Sequence, residues 1–192
     1  MSAKDIIQII SFTTNDDDIS LNTNNILKIL MEKYNHAIIN ESKHAMSFDI
    51  EFPNSFKPTN IMICSLTDLS KEYSGITDVN FYMIFIDLQN EKSKESLETI
   101  ISYARKYCDL SKKIYVLGVI NNEKENKFIH KEDIKNAMKS GNFIYEYIKI
   151  FLEKKKDVAD SLLNIFINFT KESANKKEYN KSHIRAHSCN VF

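Results

Sequence analysis

The sequence predicts an α/β fold: a six-stranded, mostly parallel sheet with one antiparallel edge hairpin and helices on both faces. Short apolar runs, typical of buried strands, alternate along the chain with segments whose apolar residues repeat at helical spacing. Only residues 53–58 (PNSFKP) join two neighbouring strands by a short turn-forming segment, which predicts a hairpin. The other connections are long enough to hold crossover helices, so the strands that they join are expected to be parallel.

Each element follows from its own pattern. Strands are expected at residues 5–12, 45–52, 59–66, 81–88, 113–119 and 142–150. Residues 81–88 (FYMIFIDL) are the most apolar run, which predicts the central strand. Helices are expected at residues 21–34, 93–108, 131–139 and 154–169, with a short one inside the polar segment 67–80. Residues 1–170 are therefore predicted to form one domain, and the polar, basic residues 171–192 a flexible tail.

Composition excludes several classes of protein. The formal net charge is zero, so no overall field attracts nucleic acid or a membrane. Three widely spaced cysteines, Cys64, Cys108 and Cys189, argue against a disulfide framework and a zinc site and suit a reducing compartment. We expect neither a signal peptide nor a membrane span, because no apolar stretch approaches the roughly 20 residues that a span needs.

The connection between the first strand and the first helix lacks the residues that hold phosphate. A phosphate loop needs glycines, whose backbone N–H groups wrap the phosphates, and a lysine that reaches them. The chain has only Gly75, Gly118 and Gly141, and the connection, residues 11–20 (SFTTNDDDIS), contains no lysine. Its three aspartates, residues 16–18, would repel a triphosphate. We therefore expect no nucleotide and no other cofactor.

The strand and helix pattern of residues 5–170 resembles that of the small GTPases. Residues 81–93 resemble the fourth strand of that family and its continuation, and residues 114–118 resemble the fifth. This resemblance implies a Ras-like P-loop GTPase fold. The guanine-recognition sequence is replaced by residues 119–123 (VINNE), and residues 65–70 (SLTDLS) lack the glycine of the phosphate sensor. Together with the absent phosphate loop, these losses imply a protein that is not an enzyme.

A more specific resemblance is to the centromere protein M family, whose small-GTPase-like fold lacks nucleotide-binding motifs. Residues 78–88, 91–97, 110–118 and 143–163 follow its layout. The resemblance implies a scaffold subunit of the inner kinetochore, nuclear, with protein partners and no direct contact with nucleic acid. The full-length hairpin and the long segment 67–80 depart from that family. A degenerate Ras- or Rab-like protein therefore remains the alternative.

Two surfaces are candidates for partner binding. The first lies in the segment that corresponds to a switch region, and its candidate residues are Leu69, Lys71, Glu72, Tyr73 and Ile76. An aromatic side chain is a frequent anchor of an interface, although these side chains could equally pack a short helix on the sheet. The second consists of Lys154, Lys155 and Lys156 at the start of the last helix, where cations oppose the helix dipole. The alternative there is a solvated face.

The remaining motifs are few. His36, Glu41 and His44 lack further ligands at metal-binding spacing, so we expect a solvated loop and no metal. No set of Ser, His, Asp or Cys residues at catalytic spacing is present, so no catalytic residue is predicted. The sequence ends in Cys-Asn-Val-Phe, which fits a prenylation signal at Cys189. A prenylated chain would belong at a membrane in the cytoplasm, and an unmodified one fits the nuclear alternative.

Overall fold

The computed structural model describes residues 6–14, 23–34, 38–42, 45–51, 59–66 and 78–188, with side chains of the last helix through residue 172. These residues form one seven-stranded mixed sheet and four α-helices. The α/β class and the mixed sheet are confirmed. The sheet has one strand more than the six predicted, because residues 38–42 add a further strand at its edge.

The strands are β1 (Ile6–Thr13), β2 (Ile38–Ser42), β3 (Ala45–Ile50), β4 (Thr59–Leu66), β5 (Phe81–Asp87), β6 (Ile114–Ile120) and β7 (Tyr145–Phe151). The helices are α1 (Thr23–Tyr34), α2 (Ser93–Tyr107), α3 (Lys131–Ser140) and α4 (Lys155–Ser188). The strand order across the sheet is β2-β3-β4-β1-β5-β6-β7. Four neighbouring pairs, from β4–β1 to β6–β7, are parallel.

The predicted hairpin is present but does not form the edge of the sheet. Strands β3 and β4 are antiparallel, with Phe48 opposite Ile61, as expected. Strand β2 pairs antiparallel with the outer side of β3 and takes the edge position. The sequence IINES of β2 has only two apolar residues and no alternation, so its extended conformation depends on pairing with β3. This is why the pattern of residues 38–42 predicted a solvated loop.

The sheet separates two apolar cores. Helices α1 and α4 cover one face, and α2 and α3 cover the other. All residues of β5 and β6 are buried, because successive side chains enter opposite cores: Met83 and Phe85 lie in the first, and Ile84 and Ile86 in the second. Strand β5 was predicted to be the central strand, but β1 takes the middle position of the seven and β5 lies beside it.

The start of β7 differs from the prediction because residues 141–143 complete the end of α3. Asn142 takes a left-handed conformation (φ 57°). Its N–H donates to the carbonyl of Lys139 (3.0 Å), and the N–H of Phe143 donates to that of Met138 (3.3 Å). This pair of bonds is a Schellman motif with Asn in place of the usual Gly. The strand therefore begins at Tyr145 and not at residue 142.

Helix α4 crosses the predicted boundary between domain and tail. The periodicity predicted five buried residues, of which Val158, Leu162, Ile165 and Phe166 are buried and Phe169 is half-buried. The helix was expected to end at residue 169, yet it continues to Ser188. The independence of residues 171–192 from the domain stays a prediction, and the helix expected within residues 67–80 lies outside the described residues except at 78–80.

Candidate functional site

The strand order identifies one place where an α/β sheet of this kind would hold a ligand. From β1 the chain goes on to β2, β3 and β4 on one side of the sheet, whereas β5, β6 and β7 lie on the other. Ligands of open α/β sheets bind outside the carboxyl ends of the strands at such a switch point. The candidate site is therefore the carboxyl end of β1, β5 and β6. Most of the loop that follows β1, including the three aspartates at 16–18, lies outside the described residues.

Thr14 connects the ends of β1 and β5 to the start of α2. Its N–H donates to the carbonyl of Phe85 (3.1 Å), and its Oγ1 accepts the N–H of Asp87 (3.1 Å). The same Oγ1 lies 3.0 Å from Ser93 Oγ. Thr14, Asp87 and Ser93 are 6%, 4% and 0% exposed. Because three elements share one buried hydroxyl group, their relative positions are fixed at this point.

The position of Ser93 follows from the turn that precedes α2. The carbonyl of Asn90 accepts the N–H of Ser93 (3.1 Å), and Asn90 Oδ1 accepts that of Lys92 (2.9 Å). Asn commonly bonds the backbone two residues onward in such turns. Asp87 makes the same kind of bond, since its Oδ1 accepts the N–H of Gln89 (2.8 Å). These local bonds bring Ser93 to the end of the sheet, where it is fully buried against Thr14.

The amide side chain of Gln89 holds the loop that follows β6. Gln89 Oε1 accepts the N–H groups of Asn121 (2.6 Å) and Asn122 (3.0 Å), and Nε2 donates to the carbonyl of Asn122 (2.6 Å). Asn122 also bonds within its own loop, because its Nδ2 donates to Glu125 Oε1 (3.2 Å). Here a side chain of the protein binds the backbone groups of the loop.

The two predicted partner surfaces have different outcomes. Leu69, Lys71, Glu72, Tyr73 and Ile76 lie outside the described residues, as does Cys189, so these predictions stay predictions. Lys154, Lys155 and Lys156 are described and exposed. Lys155 and Lys156 lie beside α1, where they line a shallow cavity of about 400 Å³ together with Ile29, Glu32 and Lys33.

The three lysines differ in their contacts. Lys154 Nζ lies 2.5 Å from Glu123 Oε1 and 4.7 Å from the ring centre of Phe151. The bond to Glu123 raises the pKa of Lys154. Lys155 Nζ is 4.0 Å from Glu32 Oε2, and both side chains are largely exposed. The Lys156 carbonyl accepts a bond from Lys33 (3.4 Å), whose ammonium group also pairs with Asp160. Exposed pairs of this kind contribute little to stability, so the lysines remain accessible to a partner.

The described cysteines have weakly acidic thiols. Burial raises the pKa of Cys108 to about 11, and burial also raises the pKa of Cys64. Because the thiolate is the nucleophilic form, both groups react slowly near neutral pH. Cys108 packs against the second apolar core, as a buried free cysteine commonly does.

Sequence reasoning missed the residues that close the candidate site, Thr14, Asp87, Gln89, Ser93 and Asn121. Thr14 directly follows β1, Asp87 ends β5 and Gln89 lies two residues beyond it, and their places at the ends of apolar strands were the available signal. Their partners could not be foreseen, because Thr14 and Ser93 are 79 residues apart in the chain.

Two further properties of the described residues bear on function. Among the His, Cys, Asp and Glu side chains that the structure describes, no three come together as metal ligands. No helix in the described part of the chain combines the length and the apolar character that crossing a bilayer requires. No protein-family model and no curated protein matches the chain.

Proposed function

We propose that the chain is a catalytically inactive, small-GTPase-like domain that binds no nucleotide and acts as a scaffold subunit of a protein complex. Six strands follow the order β3-β4-β1-β5-β6-β7, with the antiparallel hairpin on one side of β1 and parallel strands on the other. This order supports the Ras-like arrangement, to which β2 is an addition at the edge.

The observation that carries the proposal is the closure of the sheet end by the protein's own side chains. The hydroxyl group of Thr14 engages Asp87 and Ser93, and the amide of Gln89 engages Asn121 and Asn122. A nucleotide would have to replace these bonds, and each contributes about 1 kcal/mol. Among the described residues, the N–H groups of Asp87, Asn121 and Asn122 at this end of the sheet are already paired within the protein.

Nucleotide titration tests the first half of the proposal. Thermal unfolding of the full-length chain is measured with GTP, GDP and ATP at about 1 mM, with and without Mg²⁺. A ligand with a dissociation constant near 10 µM would stabilise the protein by about 2.7 kcal/mol, or several degrees. We expect no shift with any nucleotide. A shift of several degrees, supported by heat released in isothermal titration, would contradict the proposal.

Co-purification tests the second half. The variant Lys155→Glu/Lys156→Glu reverses two exposed charges at the start of α4, where acidic residues are compatible with the helix dipole. Its matched control, Lys131→Glu/Lys139→Glu, reverses two exposed charges on α3, on the opposite face of the sheet. We expect the first variant to remain folded and lose partners that the control retains. If both retain every partner, residues 69–76 become the next surface to substitute.

The type of complex follows from the resemblances stated above. The centromere protein M likeness favours an inner-kinetochore assembly in the nucleus, and the Cys189 ending favours a prenylated Ras- or Rab-like protein in membrane traffic. A fluorescent fusion at the amino terminus separates these hypotheses, because it leaves the last four residues free. Signal at centromeres supports the first. Membrane signal that is lost in Cys189→Ser supports the second.

A further inference from the structure

Strand β7 forms one edge of the sheet, and alternate residues of its backbone face away from the protein. The carbonyl of Ile144 accepts the N–H of Ile114 (2.9 Å), and the N–H of Leu152 donates to the carbonyl of Ile120 (2.9 Å). The pairing with β6 is unbroken between these points. Because a parallel ladder uses alternate residues, the even-numbered residues bond β6. The odd-numbered residues are Tyr145, Tyr147, Lys149 and Phe151, and they face outward.

These outward-facing backbone groups are largely without partners in the described part of the chain. Within the described residues, one of these outward N–H and C=O groups is bonded: the carbonyl of Phe151 accepts the N–H of Lys154 (2.9 Å). A row of free donors and acceptors at a sheet edge is a template for another strand. Lys149 is the single cation on the strand, and its Nζ lies 4.9 Å from the ring centre of Phe151.

The side chains along this edge are mainly apolar or aromatic. Ile144 is 58% exposed, more than any other large apolar side chain in the described residues. Tyr145, Tyr147, Phe151 and Leu152 are each partly exposed. An incoming strand would therefore cover apolar surface as well as satisfy the backbone.

We propose that the edge of β7 pairs with the same strand of a second copy of this chain, antiparallel, about a two-fold axis at Ile148. The two sheets then form one continuous sheet. Tyr147 of one subunit exchanges N–H···O bonds with Lys149 of the partner subunit. By symmetry, Lys149 of the first subunit exchanges the same bonds with Tyr147 of the partner subunit. Ile148 lies opposite Ile148 of the partner subunit, and the exposed Ile144 lies opposite Leu152 of the partner subunit.

The strand's own sequence selects this register. Only odd-numbered residues can bond across the edge, so the axis passes through a residue and not between two. An axis at Glu146 or at Lys149 would place like charges directly opposite each other, which destabilises a strand pair. An axis at Tyr147 would place the exposed Ile144 opposite Ile150, which is already buried within its own subunit. The axis at Ile148 avoids like-charge pairs and covers Ile144 with a side chain that is still exposed.

The sequence of β7 also favours a second copy over an unrelated extended peptide. Read in reverse, Tyr145–Phe151 again has an aromatic residue at each end and isoleucine at its centre. Aromatic Tyr145 therefore meets aromatic Phe151 of the partner subunit, and the Lys149 ammonium group meets the ring of Tyr147 of the partner subunit. Pairs of both kinds are favourable.

Oligomeric state as a function of concentration tests the proposal. Sedimentation equilibrium of the full chain is measured from about 1 to 200 µM, the range in which a dissociation constant of micromolar order is visible. Lys149→Pro removes an outward N–H that no bond within the subunit uses, and proline is tolerated at such edge positions. We expect dimerisation to weaken by at least about tenfold, because two symmetry-related bonds are lost. The matched control Lys149→Thr loses the same lysine–ring contacts but keeps the N–H, and should dimerise clearly more tightly than Lys149→Pro.

Cysteine cross-linking tests the register independently. Ile148→Cys and Lys149→Cys are compared in a chain that also carries Cys189→Ser. In the proposed register the two introduced thiols at position 148 face each other, with about 4.5–5.5 Å between their Cβ atoms, close to disulfide distance, whereas position 149 faces Tyr147 of the partner subunit. We expect Ile148→Cys to form disulfide-linked dimers faster, although Lys149 is more exposed.

Three results would overturn the proposal. The first is a wild-type chain that stays monomeric throughout the concentration range. The second is a folded Lys149→Pro variant that dimerises as tightly as Lys149→Thr. The third is faster cross-linking at position 149 than at position 148, which would place the axis elsewhere on β7 or make the contact non-specific. Circular dichroism of each variant establishes that a lost dimer is not a lost fold.

Discussion

The carboxyl end of the sheet and the edge of β7 treat polar backbone groups in opposite ways. At the carboxyl end, side chains of Thr14 and Gln89 bond the backbone groups of residues 87, 121 and 122. At the edge of β7, the outward groups of Tyr145, Tyr147 and Lys149 have no bond within the described residues. Paired groups stabilise the fold and exclude a ligand, whereas free groups stabilise nothing until a second chain arrives. The difference is consistent with the two proposals made above, that the carboxyl end of the sheet holds no nucleotide and that the edge of β7 binds a second chain.

Among the substitutions that test this comparison, the largest loss of stability is expected at Thr14, at the carboxyl end of the sheet. Thr14→Val keeps the shape of the side chain but leaves the buried N–H of Asp87 without its acceptor. An unsatisfied buried donor costs about 1–3 kcal/mol, so we expect a loss of about 2 kcal/mol in the free energy of unfolding. Urea denaturation measures it. Thr14→Ser retains the hydroxyl group and should lose much less stability than Thr14→Val. Equal losses in the two variants would mean that the methyl group, which serine lacks, matters as much as the bond.

A smaller effect is expected at Gln89, which is partly exposed. Gln89→Met removes all three bonds to Asn121 and Asn122 and should cost about 1–1.5 kcal/mol. Gln89→Glu keeps the accepting oxygen and should cost less. Amide hydrogen exchange at Asn121 and Asn122 is the direct measurement. Unchanged exchange in Gln89→Met would mean that the loop is held by other contacts.

Alkaline pH should destabilise the protein most clearly through the amino end of β5, and burial also raises the pKa of Tyr147 on β7. Burial raises the pKa of Cys108 to about 11 and that of Tyr82 to about 12. The unfolded chain loses these protons first, near pH 8.5 and 10. The stabilisation is therefore complete below about pH 8.5 and is lost as the pH rises through 11 and 12.

Thermal unfolding between pH 8 and 12 measures this loss. The variant Cys108→Ala should show a shallower decline between pH 8.5 and 11 than wild type, because one of the groups whose pKa is raised by burial is gone. Thr14→Val serves as the comparison, since it changes no titrating group and should lower the whole curve without altering its slope. Identical slopes in wild type and Cys108→Ala would contradict the assignment to this thiol.

The smallest effect on stability is expected at the edge of β7. Lys149→Thr changes an exposed side chain whose backbone N–H is not bonded within the subunit. We expect the free energy of unfolding of the monomer to change by less than about 0.5 kcal/mol. The measurement is urea denaturation at a concentration well below that of dimerisation. A loss as large as that of Gln89→Met would remove the contrast between the two regions.

Much of the fold could be predicted from local patterns. Strand β4 has the predicted bounds, and the buried stripe of α4 was identified from its periodicity. These elements carry their signal in consecutive residues, because each buries a continuous run or a regular face. Strand β2 could not be predicted, since its sequence is nearly polar and its conformation comes from pairing with β3. The start of β7 was misplaced because the cap of α3 uses residues 141–143.

The sequence by itself determined the α/β class, the hairpin and the position of the main apolar faces, because those depend on spacing along the chain. It also determined the missing glycines and lysine of the phosphate loop, since an absent residue type needs no structure to be noticed. Only the tertiary structure decided that Thr14 meets Ser93 and that Gln89 meets Asn121, across 79 and 32 residues of sequence. It also decided which groups of β7 face outward. These contacts depend on strand order and register, and neither is written in the local pattern of any one segment.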